Sequence, residues 1–195
     1  DRLKGKPILI GGASDRGVVA SCSYEARRFG VHSAMPMRTA RQLCPEAIVV
    51  RGDFEKYSQK SQEITEIIRE GVPLFEKASI DEFYIDFTGM DRFFGIWTYA
   101  SELRSRIIKE TGLPISFGLS ENKTVSKVAT GEAKPNNQLH ISYGLEKDFL
   151  APLSVQKIPM VGPKTFQTLC SLGVKRIGTL QTLPLELVEQ ALGEN

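Results

Sequence analysis

Cysteine is scarce in this chain: three residues, Cys22, Cys44 and Cys170, stand far apart with no CxxC pair. That pattern excludes a cysteine zinc site and a disulfide framework, and it predicts a reducing, cytoplasmic setting. No apolar run is long enough to span a bilayer. The opening stretch DRLKGKPILIGG has the features of neither a signal peptide nor a transit peptide. Internal repeats and low-complexity tracts are missing as well. What remains is ordinary globular composition, 41% hydrophobic and 25% charged over 195 residues. That length allows one large domain or two to three small subdomains.

The net charge of +2 is informative only once divided. Residues 1–53 carry nine Lys/Arg against five Asp/Glu, residues 54–119 eight against eleven, and residues 120–180 eight against four. An acidic middle therefore lies between two basic segments. Basic surfaces beside an acidic centre that binds metal suit a polyanion being worked on. Charge that merely fluctuates along a surface is the plainer alternative.

Apolar periodicity gives the elements. PILIGG (7–12) and GVVASCS (17–23) read as a hairpin, YEARRFG (24–30) as a short helix stopped by Gly30, and MRTARQLCP (37–45) as a helix ended by Pro45. AIVVR (47–51) is a strand. Phe54, Tyr57, Ile64, Ile67 and Ile68 fall on one helical face, and Ile96, Ala100, Leu103 and Ile107 on another. KASIDEFYIDF (77–87) is strand-like, PISFGLS (114–120) is a strand, and 121–133 is a helix with Ser120 as its N-cap. Helix, hairpin, helix, strand is most of a split βαβ unit, an α+β architecture without its first strand. LHIS (139–142) precedes a Leu-rich helical end, in which 158–180 suggests a helix-hairpin-helix whose turn amides and lysines hold a DNA phosphate. A helical hairpin with no DNA role has the same pattern.

The chemistry concentrates at Asp81 and Glu82. Their apolar neighbours place them near a core, where carboxylates need a positive partner. In a flat strand adjacent side chains face apart, but at a hairpin bend they converge. Magnesium prefers such oxygens and keeps waters and substrate phosphates as its other ligands. Two such ions about 3.5–4 Å apart can activate an attacking oxygen and stabilise a leaving one in phosphoryl transfer. Two solvated acids at an exposed turn are the alternative. Tyr24 and Arg27, three apart on one helix after Ser21 and Ser23, suit triphosphate oxygens, as does Lys134 before Pro135. Packing for Tyr24 and solvation for Arg27 and Lys134 are their alternatives.

SYEARRFGV, ASIDEFYIDFTG, GLSENKTVSKVAT, AKPNN and IPMVGPKTFQTL stand in the order and spacing of the Y-family DNA polymerases, and the chain most resembles their bacterial polymerase IV branch over essentially all its length. The resemblance implies a right-handed polymerase with fingers (1–53), a split βαβ, ferredoxin-like palm (54–143) and a helical thumb (144–195) carrying the helix-hairpin-helix. It implies template-directed synthesis from dNTPs on primer-template DNA, including error-prone copying of damaged template. Asp81 and Glu82 would be catalytic and hold two Mg2+ ions, with Asp81 bridging both. Ser21, Tyr24, Arg27 and Lys134 would contact the triphosphate, and Ala20 and Ala34 would leave room over the nascent base pair. Gly162 and Lys164 would meet the DNA.

The chain departs from that pattern. Family members begin with a strand of type Asp-x-Asp-x-Phe-Phe/Tyr, which supplies a third metal-binding Asp and an aromatic steric gate. Asp1 and Arg2 instead resemble the end of the helix that follows that strand. The little finger and the tail that binds a sliding clamp do not appear either. The expectation is a fragment with little or no polymerase activity by itself, and with the gap in its palm sheet filled by another segment or chain. Met160 stands where many relatives have Gly, which weakens the case for close phosphate approach there. The main alternative is a non-catalytic DNA-binding or scaffold protein that keeps the fold. A palm enzyme of another kind, such as a nucleotide cyclase, is a third.

Overall fold

A computed structural model describes residues 2–92 and 95–193. Asp1 lies outside the described residues, while Arg2 opens a turn. The chain folds as two units, residues 1–59 and 60–195.

The first unit is built on a three-stranded sheet. β1 (Ile8–Gly11) pairs antiparallel with β2 (Val19–Cys22) and parallel with β3 (Ile48–Val50), in the order β2-β1-β3. Two short helices, α1 (Tyr24–Arg27) and α2 (Met37–Leu43), connect β2 to β3. Leu9, Val19, Cys22, Ala26, Val31, Met37, Ala40 and Cys44 close the core between sheet and helices. The predicted hairpin and helices form. The second helix stops at Leu43, with Cys44 as its cap, because the residue before Pro45 is driven out of the helical region.

α3 (Phe54–Gly71) begins at Asp53, whose carboxylate accepts a hydrogen bond from the Lys56 amide at 3.1 Å. Its buried positions are Ser61, Thr65, Ile67 and Ile68. Phe54 and Tyr57, expected on the buried face, are 74% and 47% exposed. The hydroxyls at 61 and 65 are satisfied instead: Ser61 donates to the Ile80 carbonyl and Thr65 to that of Ser61.

In the second unit β4 (Phe75–Lys77) and β5 (Phe83–Ile85) form an antiparallel hairpin. The strand-like stretch 77–87 thus holds the last residue of β4, a bend at 78–82 and β5, the hairpin expected between the two helices. α4 (Ile96–Thr111) buries Ala100, Leu103 and Ile107, as its spacing predicts, and ends at Gly112, whose φ of 72° closes the helix in the left-handed region. Ile67, Ile68, Val72, Leu103 and Ile107 form the core below the hairpin. β6 (Phe117–Leu119), α5 (Lys123–Ala133) and β7 (Gln138–His140) make a βαβ unit with a parallel strand pair. The N-cap of α5 is Asn122, not Ser120. The Asn122 side chain accepts from the Val125 amide at 2.9 Å, while the Ser120 hydroxyl bonds Ser126 and the Asn122 carbonyl. The expected helix, hairpin, helix and strand are all present. Among the described residues, however, β4-β5 and β6-β7 are separate two-stranded sheets.

The remaining chain is helical. α6 (Glu146–Leu150), a single 3-10 turn at Val155–Lys157, α7 (Pro163–Ser171), α8 (Ile177–Gln181) and α9 (Leu185–Leu192) surround Val155, Leu169, Val174 and Ile177. No helix among the described residues is long and apolar enough to cross a membrane.

Candidate active site

Asp81 and Glu82 sit at the bend of the β4-β5 hairpin, and both are exposed rather than buried. The bend is made by backbone and by Ser79. The Ala78 and Ser79 amides donate to the Glu82 carbonyl at 3.0 and 3.2 Å. The Ser79 hydroxyl donates to Asp81 Oδ1 at 2.8 Å and accepts from the Glu82 amide at 3.1 Å. From below, Ser61 of α3 holds the Ile80 carbonyl. The bend frees the two side chains from the opposite-face rule of a regular strand, as the sequence argument required.

The positive partner expected beside these acids is Lys127 of α5. Its Nζ lies 2.8 Å from Glu82 Oε2. The Glu82 hydrogen bond and charge hold the Lys127 ammonium above its ordinary range, with Tyr84 and Asp81 adding to the effect. One turn earlier Lys123 pairs with Glu76 of β4 and stands over the Tyr84 ring, 5.3 Å from its centroid. Two lysines four apart on α5 thus lie on two glutamates of the hairpin, one within β4 and one at the bend. Sequence reasoning missed both lysines and both serines. The i, i+4 spacing of Lys123 and Lys127 was a visible signal, but their partners lie some 45 residues away.

Carboxylate oxygens at an exposed bend are hard donors of the kind magnesium takes in ones and twos, with water and phosphate completing its shell. The residues present fit such an ion. The fit is partial, because among the described residues no group of three or more His, Cys, Asp or Glu could hold a metal.

Lys134 follows α5 as its C-cap, before a cis peptide bond to Pro135. It is exposed and enters no ion pair or hydrogen bond among the described residues. By helical rise it stands about 10 Å along α5 from Lys127, so it does not join the cluster at the bend.

In the first unit Ser21 and Ala20 lie on β2, with Ser21 opposite Ile10, and both are exposed. Ser23 caps α1 by accepting from the Ala26 amide. Tyr24 and Arg27 then share a face of that helix, with the guanidinium carbon 5.8 Å from the ring centroid. Phenol and guanidinium are thus side by side on the short helix that follows β2, a suitable pair for phosphate oxygens. Ala34 has a φ of 68°, held by its amide's bond to the Val19 carbonyl at 2.8 Å.

In the helical segment Gly162 is the N-cap of α7, Pro163 its first residue, and Lys164 an exposed member of the first turn. The hairpin before it carries Met160 at a φ of 71° and 99% exposed. The backbone thus takes the glycine-like conformation without a glycine.

Residues 1–131 match the impB/mucB/samB family model. The chain is 42% identical to the DNA polymerase IV of Dehalococcoides mccartyi strain CBDB1 over 98% of its own length and 50% of that protein's. It is 43% identical to the DNA polymerase IV of Shewanella amazonensis, covering 99% of the chain and 55% of the relative. The fold is similar to the crystal structure of DinB from Sulfolobus solfataricus, with a TM-score of 0.89, 28% identity, and 99% and 57% of the two chains covered. An insertion ternary complex of Dbh DNA polymerase gives a TM-score of 0.87, 29% identity, and 98% and 58% coverage. The chain spans about half the length of the curated relatives it matches.

Proposed function

The chain belongs to the impB/mucB/samB family, the Y-family DNA polymerases of the polymerase IV type, and on that premise we propose that it is part of a template-directed DNA polymerase that extends a primer 3′-hydroxyl from dNTPs and copies damaged template. The observation that carries this reading is the Asp81–Glu82 pair, held out at a bend by Ser79 and Ser61 rather than buried. In this reading residues 1–53 are fingers, 54–143 palm and 144–195 thumb.

Asp81 and Glu82 would hold Mg2+, which when bound neutralises charge on the transferring phosphoryl group and favours ionisation of the attacking hydroxyl. Ser21, Tyr24, Arg27 and Lys134 orient the triphosphate by donating to its oxygens. The small side chain of Ala20 leaves space beside the incoming base. The Gly162 amide and the Lys164 ammonium hold a phosphate of the duplex, which fixes register without reading sequence. A cytoplasmic setting agrees with Cys22, Cys44 and Cys170 being free thiols. A sliding clamp is the further partner this reading adds for a longer form of the protein.

One observation favours a second reading, that of a DNA-binding scaffold. The described residues supply two carboxylates at the bend, and one of them is already paired with Lys127. Primer extension separates the two readings. Template-directed extension in Mg2+ that disappears in Asp81→Ala supports the enzyme. Duplex binding that falls steeply with salt, in a longer form of the protein that never extends a primer, supports the scaffold.

A further inference from the structure

Along α4 the residues Trp97, Ser101 and Arg104 form a stripe that faces the βαβ unit, separate from the apolar stripe of Ala100, Leu103 and Ile107. Trp97 stacks on His140 of β7, with ring planes 19° apart, and tilts against Phe117 of β6. Ser101 accepts a hydrogen bond from Gln138 at 2.8 Å. Arg104 ends the stripe, where α5 turns into β7. Its Nε donates to the Ile115 carbonyl at 3.0 Å, and its Nη2 donates to both the carbonyl and the side-chain oxygen of Asn136, at 2.8 and 2.7 Å.

Asn136 is two residues beyond Lys134 and has a φ of 48°, a conformation its short polar side chain tolerates. The next residue is pinned as well, since the Asn137 amide donates to the Ser116 hydroxyl at 3.1 Å. All three acceptors of Arg104 are neutral, and among the described residues the guanidinium has no carboxylate partner. Arg106, by contrast, pairs with Glu70 and Glu110. The donors of Arg104 are thus committed to the turn that carries the unpaired Lys134, not to an acid elsewhere.

We propose that Arg104 is a positioning residue for Lys134: by clamping Asn136 it fixes the turn that presents the Lys134 ammonium to the triphosphate of a deoxynucleotide. The inference rests on the reading of Lys134 as a triphosphate contact. Arginine suits the task because one rigid fork spans acceptors on two segments, which the point charge of lysine does less well.

The test is calorimetric titration of the chain with dATP in Mg2+. Lys134→Ala and Arg104→Ala each weaken binding about tenfold, the scale of one charge-assisted hydrogen bond. The double variant binds no more weakly than Lys134→Ala alone, because Arg104 acts through Lys134. Arg104→Lys recovers part of the affinity. Asn136→Gly, which keeps the backbone conformation and removes the side-chain acceptor, loses severalfold while Trp97 emission stays unchanged, so the test stands even if Arg104→Ala does not fold. Effects that multiply in the double variant overturn the proposal. So does an Asn136→Gly or Arg104→Ala protein that binds normally while Lys134→Ala does not. If wild type does not bind dATP, or Lys134→Ala binds as well as wild type, the triphosphate reading itself fails and the inference falls with it.

Discussion

Lys127 closes on Glu82, with Nζ 2.8 Å from Oε2, so the acidic bend is capped by a cation from α5. Both side chains stay substantially exposed, 41% and 45%, so the pair is worth at most about 1 kcal/mol. That ammonium competes with any divalent cation for the same oxygen. Lys127→Met therefore tightens Mn2+ binding by up to about fivefold, the equivalent of that energy, and leaves the unfolding midpoint nearly unchanged. Titration of Mn2+ by its paramagnetic signal measures this. Unchanged or weaker binding would show that Lys127 does not mask Glu82.

The identity of the key residues was legible, but their surroundings were not. The hairpin over 8–22 and the buried stripe of α4 could be read because turn residues and apolar spacing are local signals. Asp81 and Glu82 stood out as types, yet the reasons they sit at an exposed bend are Ser79, Ser61 and Lys127, the last two brought in from other helices. Ser120 and Asn122 are both good caps, and the path of the chain after β6 decides between them. Periodicity placed Phe54 and Tyr57 on the face of Ile64 and Ile68, but it cannot say how far along α3 that face is covered. Arg104 carries no local signal of its role, since its partner Asn136 is 32 residues away.

Met160 holds a φ of 71° with its side chain in solvent, so it bears conformational strain with no packing to offset it. Left-handed backbone costs an L-residue about 1–2 kcal/mol, and glycine returns part of that gain as unfolded-state entropy. Met160→Gly therefore stabilises the chain by about 0.5–1 kcal/mol, and Met160→Val destabilises it by about 1 kcal/mol because branching at Cβ worsens the clash. Urea unfolding of both variants checks the order. A less stable glycine variant would refute the strain argument.

Acid should remove the cap of α3. The Lys56 amide and ammonium hold the Asp53 carboxyl below its ordinary range. A carboxylate depressed in the folded state contributes stability that is present above its unfolded value and is lost as pH falls through its folded value. The stability gap between wild type and Asp53→Ala is thus full at pH 7 and closes as pH falls below the ordinary aspartate value. Urea midpoints of both proteins across that range decide it, and a gap that persists under acid rules out the cap as its source.

Gly118 is where β6 meets α5 without room for a side chain. A Cβ there would stand 2.5 Å from the Ser126 carbonyl, 2.6 Å from the Ala129 methyl and 2.7 Å from the Thr130 amide. Two of those neighbours are helix backbone, so relief requires strand and helix to separate. The Gly118 amide also donates to the Thr130 hydroxyl at 2.7 Å, a bond that separation would stretch. Gly118→Ala should cost about 2–3 kcal/mol, outweighing the roughly 0.5–1 kcal/mol by which alanine in a strand would ordinarily help. Because α5 carries Lys127 and ends at Lys134, the same variant should weaken dATP binding and, by drawing Lys127 off Glu82, tighten Mn2+ binding in the fraction that stays folded. Thr130→Val, which removes the hydroxyl and adds no clash, should cost less than Gly118→Ala. Equal losses in the two would place the constraint in the hydrogen bond rather than in the close approach of strand and helix.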